Sequence, residues 1–377
     1  MKKWTSMKKR SVIAGLMTAA ASTSVWAADA ETQAQIDELK AQVAALADSL
    51  EAQSASTSAY PVYVGGYGEM HLNLNQGKDN EIDFHRFVLF FGKDFNERTR
   101  FFSEFELEHS LAGDGKPGEV ELEQAYVEYD LTDKTQAKAG LFLIPVGILN
   151  ETHEPETFYG VERNSVENKI IPTTWWEGGV AINGEIAAGL SYDVAMHSGL
   201  SNDLGNIRSG RQKVAEATAN KAAYTARIKY TAVPGLELAA TLQYQDDILQ
   251  GMGDDEIGAR LIEAHAVYQN AGFGLRALFA QWNIDSDIND VTEGASKQKG
   301  FYLEPSYRIT DKVGVFARHS RWDNAAADDA ESEYKRNDVG VNYWLADTAV
   351  LKADVFRTRQ DGDLNAAGYN LGVGFSF

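Results

Sequence analysis

The chain ends "GYNLGVGFSF", residues 368–377. Tyr369, Leu371, Val373, Phe375 and Phe377 alternate with Asn370, Gly372, Gly374 and Ser376. Side chains two apart on a β-strand share a face, so this segment presents one wholly apolar face and one small, polar face. Its last residue falls on the apolar side. A water-soluble sandwich usually follows such a strand with a polar tail, so the aromatic end calls for an explanation from the rest of the chain.

Working back toward Tyr60, the same period of two recurs in about sixteen segments, among them "DFHRFVLFFGKDF", "VELEQAYVEYDL", "LELAATLQYQDD" and "AVLKADVFRTRQ". Strand plus connection averages ~20 residues, which suits bilayer strands of roughly 9 to 11 residues. The connections alternate between short and long. Short turns are expected at "NERT" (from Asn96), "TDKT" (from Thr132), "NGE" (from Asn183), "VPG" (from Val233), "NAG" (from Asn270), "TDK" (from Thr310) and "ADT" (from Ala346). Between them lie longer, mostly Gly/Asp/Asn-rich loops, including residues 112–119, 199–220, 248–258, 286–297 and 324–334.

One tight rim and one elaborate rim are expected of an outer-membrane barrel. A soluble β-repeat protein such as a propeller has no need of a lipid-facing stripe. Tyr268, Trp282, Tyr307, Trp322, Tyr343, Trp344 and Tyr369 fall near segment ends, where aromatic girdles would lie. The fold class is therefore all-β: a transmembrane antiparallel barrel of about sixteen strands over residues 60–377. The last strand closes it with its apolar face to lipid, and Phe377 is read as the end signal for membrane insertion.

The N-terminus reads differently. Lys2, Lys3, Lys8, Lys9 and Arg10 precede an apolar run that ends in Val25-Trp26-Ala27, the pattern of a cleaved secretory leader over residues 1–27. Ile36, Leu39, Val43, Leu46 and Leu50 then recur at spacings of three and four, a heptad seam that predicts a short periplasmic coiled-coil helix over 28–53. At 1.5 Å per residue this helix spans only roughly 30 Å. Its expected work is registration of a homotrimer, with a structural tether to the cell wall as the alternative. Residues 54–59 form a linker.

Charge bounds the partners. Loss of a leader with five basic and no acidic residues takes the net charge from −20 to −25, which argues against nucleic acid and anionic membrane surfaces as partners. Cysteine is absent, so disulfides and thiolate metal sites are excluded.

Residues 145–175, "PVGILNETHEPETFYGVERNSVENKIIPTTW", form a third long connection too rich in Pro, Tyr and charge to be a plain surface turn. An inward fold of this loop would narrow the pore and set which ions pass. Together with the flanking "AGLFLI", "WEGGVAINGE" and the preceding "ELEQAYVEYDL", it resembles the phosphate-selective porin O/P family, densely over residues 100–190 and mainly in architecture elsewhere. The resemblance implies a trimeric, sixteen-stranded channel, preceded in some members by a periplasmic coiled coil. Phosphate selectivity in the family's namesakes is attributed to an Arg ladder and a Lys cluster lining the pore, neither of which can be placed in this sequence.

The less apolar strand faces, assigned to the lumen, carry Arg86, Lys138, Arg227, Lys229, Arg276, Arg308, Arg318 and Lys352, against Glu104, Glu106, Glu108, Glu128, Glu177, Glu263, Glu304 and Asp354. Within the loop, Glu151, Glu154, Glu156, Glu162 and Glu167 outnumber Arg163 and Lys169, with His153 and Tyr159 among them. An acidic pore concentrates cations. The expected function is thus an outer-membrane porin of a Gram-negative bacterium for passive diffusion of small hydrophilic solutes and ions, cation-preferring, with a phosphate or anion channel as alternative. Arg163 facing carboxylates would create a transverse field; alternatively, Glu162 and Arg163 pin the loop to the wall. Catalysis, cofactor and metal are not expected, since His109, His197, His265 and His319 lack a partner motif, and His153, which beside Glu151 and Glu154 could ligate a metal, reads rather as a surface hydrogen-bonding residue. Expected partners are further copies of the chain, outer-membrane lipid, the barrel assembly machinery and the solutes themselves.

Overall fold

The computed structural model describes residues 60–202, 205–285, 293–328, 331–360 and 363–377, with Ala41 alone before them. The leader, the heptad residues Ile36, Leu39, Val43, Leu46 and Leu50, and the linker lie outside the described residues. No described helix is long and apolar enough to cross a membrane.

Sixteen antiparallel strands close into a barrel. In chain order they are β1 (Val62–Asn75), β2 (Glu81–Asp94), β3 (Thr99–Glu108), β6 (Val120–Thr132), β7 (Thr135–Leu143), β8 (Trp176–Ala187), β9 (Leu190–His197) and β10 (Ala223–Tyr230). There follow β11 (Leu236–Gln245), β12 (Ala259–Asn270), β13 (Phe273–Ile284), β14 (Lys297–Arg308), β15 (Val313–Asp323), β16 (Tyr334–Ala346), β17 (Ala349–Gln360) and β18 (Asp363–Ser376). Two two-residue strands, β4 (Ala112–Gly113) and β5 (Lys116–Pro117), pair with each other in the loop before β6, apart from the wall. Closure joins β1 to β18, and Gly66 and Phe377 exchange backbone hydrogen bonds of 3.0 and 2.9 Å. A closed sheet has no edge, so each wall strand finds its backbone partners within the sheet.

Alternation decides the faces. On β12, buried Leu261 and Glu263 alternate with Arg260 and Ile262, which are exposed. On β18, Tyr369 and Leu371 are exposed while Asn370 is buried. The exposed apolar set runs around the wall through Val180, Val194, Ile228, Leu242, Phe279, Phe301, Val341 and Val355, the stripe that lipid requires. The large buried apolar side chains lie inside instead, in a core of Phe142, Ile170, Trp175, Leu200, Ile248, Trp282, Tyr302 and Trp322.

Two expectations need correction. Trp282, Trp322 and Trp344 are buried on the inward parity of their strands, whereas Tyr307, Tyr343 and Tyr369 are exposed; one step along a strand flips a side chain across the wall. The "NGE" expected as a turn lies inside β8, with Asn183 opposite Asp193, and the chain reverses instead at Ala188-Gly189. Gly189 has φ +72°, a conformation that glycine tolerates best.

Candidate functional site

The connection from β7 to β8, residues 144–175, turns into the lumen. Asn150 ties its two ends: its Nδ2 donates to Ile144 O (2.7 Å) and Trp175 O (2.9 Å), and its Oδ1 accepts from Trp175 N (2.7 Å). A short helix, Ser165–Lys169, starts where the Asn164 side chain accepts from Glu167 N at 2.9 Å, an N-cap. Glu167 is fully buried yet satisfied, accepting from Ile148 N, Leu149 N and Tyr302 Oη. Burial raises its pKa despite those donors.

Beyond the helix side the loop lies on the small face of the closing strands. A Cβ on Gly374 would stand 2.3 Å from Pro155 Cβ, one on Gly372 3.0 Å from Val161 Cγ1, and one on Gly314 2.3 Å from Tyr159 Oη. The inward glycines of the terminal strand are thus the seat of the loop. Ser376 Oγ donates to Glu156, Asn342 Nδ2 to Phe158 O (3.1 Å), Arg276 to Thr157 O (2.7 Å), and Val161 N donates to Asp354 Oδ2 (2.7 Å).

The wall charges named from the sequence sit largely in pairs. Arg86 meets Glu69 at 2.8 Å and Glu106 at 3.3 Å. Arg318 meets Glu304 at 3.0 Å and Asp338 at 3.4 Å, and also donates to Tyr159 O and Glu162 O. Arg227 pairs with Asp193 at 2.9 Å and with Glu151 of the loop, and Glu128 pairs with Arg100 at 3.2 Å. Arg227 and Lys138 hold Glu151 below the usual carboxylate range against the effect of its burial. Lys138 lies over the Phe142 ring and Lys352 over that of Phe158. Lys229 follows Arg227 on the same face of β10. Glu154 is half-buried and has no ion pair to the wall among the described residues.

Glu162 and Arg163, adjacent in sequence, part ways. Glu162 contacts His71 at 3.2 Å and accepts from Asn73 at 2.9 Å; burial opposes its charge, but these partners bring its pKa down to about 2. Arg163 donates to Thr174 Oγ1 and His153 O and has no carboxylate within ion-pair distance among the described residues. His153 is 3% exposed, not a surface residue, and turns away from Glu151 and Glu154 toward Glu104 and Glu123.

The sequence reading missed a second inward loop. Residues 198–222 bury Leu200 and Ile207 in the interior core and bring Arg208 and Arg211 beside Arg163. Arg208 donates to Asn168 O and Thr173 O, Arg211 to Thr174 O. Neither has a carboxylate partner within ion-pair distance among the described residues. Burial first, then Arg211 and Arg163, lowers the Arg208 pKa to about 9. The available signal was the set of apolar residues in this long connection, Leu200 and Ile207 among them.

Open space lies between these bases and the wall of β1, β2, β3 and β6. A cavity of about 280 Å³ has Arg163, Arg208, Arg211 and Lys213 on its loop side, facing Glu69, Glu108, Glu121 and Glu123 on the wall. It adjoins a second of about 390 Å³ that reaches Asn75, Glu81 and Lys169, and the two share His71, His85, His109 and Glu162. Lys213 reaches across to Glu119 and Glu121. The cavity thus carries most of its bases on the loop side and most of its carboxylates on the wall side, with Arg86 on the wall and Glu162 on the loop as exceptions, an arrangement able to orient a polar or charged solute.

Comparison with known proteins places this geometry in context. The family model described as phosphate-selective porin O and P matches residues 65–353. An uncharacterized protein of Aquifex aeolicus (strain VF5) is 30% identical over 345 residues, 81% of this chain and 78% of its own. The anion-selective porin from Comamonas acidovorans is similar in fold, with a TM-score of 0.62 at 13% identity over 84% of this chain and 100% of that one. OmpT of Vibrio cholerae in its trimer form gives 0.59 at 12% over 85% and 100%, and Salmonella typhi OmpF 0.61 at 14% over 84% and 97%.

Proposed function

We propose that this chain, which belongs to the phosphate-selective porin O and P family, passes small hydrophilic solutes through an aperture that favours anions. Family and closed barrel make it an outer-membrane channel; the selectivity is our reading.

The observation that carries it is the cluster of Arg163, Arg208 and Arg211, three guanidiniums at the aperture bonded to hydroxyl and carbonyl oxygens rather than to carboxylates. Counting acids against bases favours cations, but the count ignores pairing. Glu69 and Glu106 are in ion-pair contact with Arg86, Glu304 and Asp338 with Arg318, Glu151 and Asp193 with Arg227, and Glu119 and Glu121 with Lys213. Each of these bases is engaged by two carboxylates, whereas Arg163, Arg208 and Arg211 have none within ion-pair distance among the described residues and keep their charge for a passing ion. Their planar donors suit oxyanions, phosphate included. The test is the zero-current potential of the refolded protein in a planar bilayer under a KCl gradient, followed by added phosphate. Anion preference supports the reading; cation preference returns the pore to the count of charges.

The assembly we propose is a homotrimer, registered by the heptad segment after removal of residues 1–27 and with that segment in the periplasm. Support comes from the heptad spacing and from the trimer form in which one structural neighbour is described. Three-step closures in single-channel records test it. A tether role has no supporting observation among the described residues.

A further inference from the structure

Glu104, Glu106 and Glu123 are 2%, 0% and 1% exposed on the inner wall. Arg86 meets this group through Glu106 and is shared with Glu69. One divided guanidinium does not balance three buried carboxylates, and buried charge of this kind must pair, neutralise or coordinate a metal.

His153, arriving from the interior loop, aims Nε2 between two of them: 3.4 Å from Glu104 Oε1 and 3.6 Å from Glu123 Oε2. Its Nδ1 donates to Asn150 O at 3.3 Å, which leaves the lone pair of the neutral ring on Nε2. Nε2 makes no hydrogen bond among the described residues. A nitrogen lone pair directed between two carboxylates is repelled by both unless a cation lies among them. Separations of 3.4 and 3.6 Å match the edges of a tetrahedron whose metal bonds are about 2.1 Å long. The three ligand atoms lie within 4.8 Å of one another.

The surroundings fit as well. A histidine whose second nitrogen donates to a backbone carbonyl is oriented as metal ligands usually are. Gln124 Nε2 donates to the far oxygen of Glu104 at 2.7 Å, steadying that carboxylate. Tyr67, fully buried with its ring 5.9 Å from that of His153, has a hydroxyl without a hydrogen-bond partner among the described residues.

We propose that Glu104, Glu123 and His153 form a site for a divalent first-row cation of zinc's class, which fastens the interior loop to β3 and β6. One imidazole and two carboxylates suit Zn²⁺ better than the all-oxygen shell Mg²⁺ and Ca²⁺ prefer. A second grouping, Asp83 with His85 and His109, is the weaker candidate. Its contacts of 3.1 and 2.7 Å are hydrogen-bond lengths, and Arg86 Nη2 stands 2.9 Å from His85 Nε2.

The experiment equilibrates the whole folded protein with zinc, dialyses it into metal-free buffer and measures metal by mass spectrometry. Wild type should retain about one zinc per chain, while His153→Asn and Glu123→Gln, checked for the folded form on unheated gels, should retain at least tenfold less. A wild type that retains none overturns the proposal and leaves a protonated imidazole bridging the two carboxylates. Zinc retained by His153→Asn but lost by His109→Asn also overturns it, by placing the ion at the Asp83 cluster. Should the variants fail to fold, X-ray absorption of the zinc-loaded wild type decides. One imidazole with oxygen donors supports the site, and two imidazoles overturn it.

Discussion

Asn150 and Trp175, 25 residues apart, clasp the neck of the interior loop: the Asn150 amide donates to the Trp175 carbonyl at 2.9 Å and accepts from the Trp175 amide at 2.7 Å. All of this is buried. Replacing Asn150 by Ala removes three hydrogen bonds and strands backbone groups away from water, at a cost of about 2–4 kcal/mol. Asn150→Ala should still form the barrel, which is held by its wall, but should show noisier single-channel currents. Quiet currents identical to wild type would mean that the clasp does not hold the loop.

The loop should also respond to acid. Glu162 has its pKa brought down to about 2 by His71 and Asn73, so its contribution to anchoring is complete above the ordinary carboxylate pKa of roughly 4.3. As pH falls through that value toward 2 the anchor is lost. The carboxylate is about a third exposed, so solvent moderates the effect. Conductance recorded between pH 5 and pH 2 should change in wild type and stay flatter in Glu162→Gln, whose amide does not titrate.

Selectivity should follow the guanidiniums. Arg163→Gln, Arg208→Gln and Arg211→Gln combined should move the anion-to-cation permeability ratio toward cations by roughly two- to fivefold. Arg227→Gln, by contrast, removes a base already paired with Asp193 and Glu151. An equal shift from both variants, read from zero-current potentials, would show that pairing does not govern the field.

Gly374 tests the seat of the loop. A methyl group there would stand 2.3 Å from Pro155 Cβ, so the loop must move, with overpacking costing about 1–3 kcal/mol. Gly374→Ala should alter conductance while heat-modifiable migration of the barrel persists. Conductance unchanged from wild type would show that the loop does not rest on this strand.

Phe377 is 60% exposed on the lipid-facing side. We propose it as an insertion signal, which would matter for assembly in the cell more than for the finished barrel. Phe377→Ser should reduce the folded protein recovered from outer membranes several-fold, while refolding in detergent proceeds as in wild type. Equal losses in both settings would make its role one of packing.

Much of the wall was legible because strand geometry is local. Tyr369 and Leu371 face out and Asn370 faces in for the same reason the sequence suggested: a period of two admits one apolar face, and lipid accepts only that face. The tryptophans misled because Trp282 and Trp322 share the apolar character of the outer stripe but not its parity. Inside this barrel two loops fold over the wall, so part of the lumen is itself a hydrophobic core.

The sequence by itself determined the barrel, its strand number and the asymmetry of its rims, since alternation and turn spacing are properties of neighbouring residues. Only the tertiary structure decided which charges act. Glu156 meets Ser376 across 220 residues and Glu162 meets Asn73 across 89, and His153 leaves its neighbouring acids for Glu104 and Glu123. The field in a pore depends on charges that remain unpaired at close range, and pairing across a closed sheet is set by where the loops land, which no local pattern encodes.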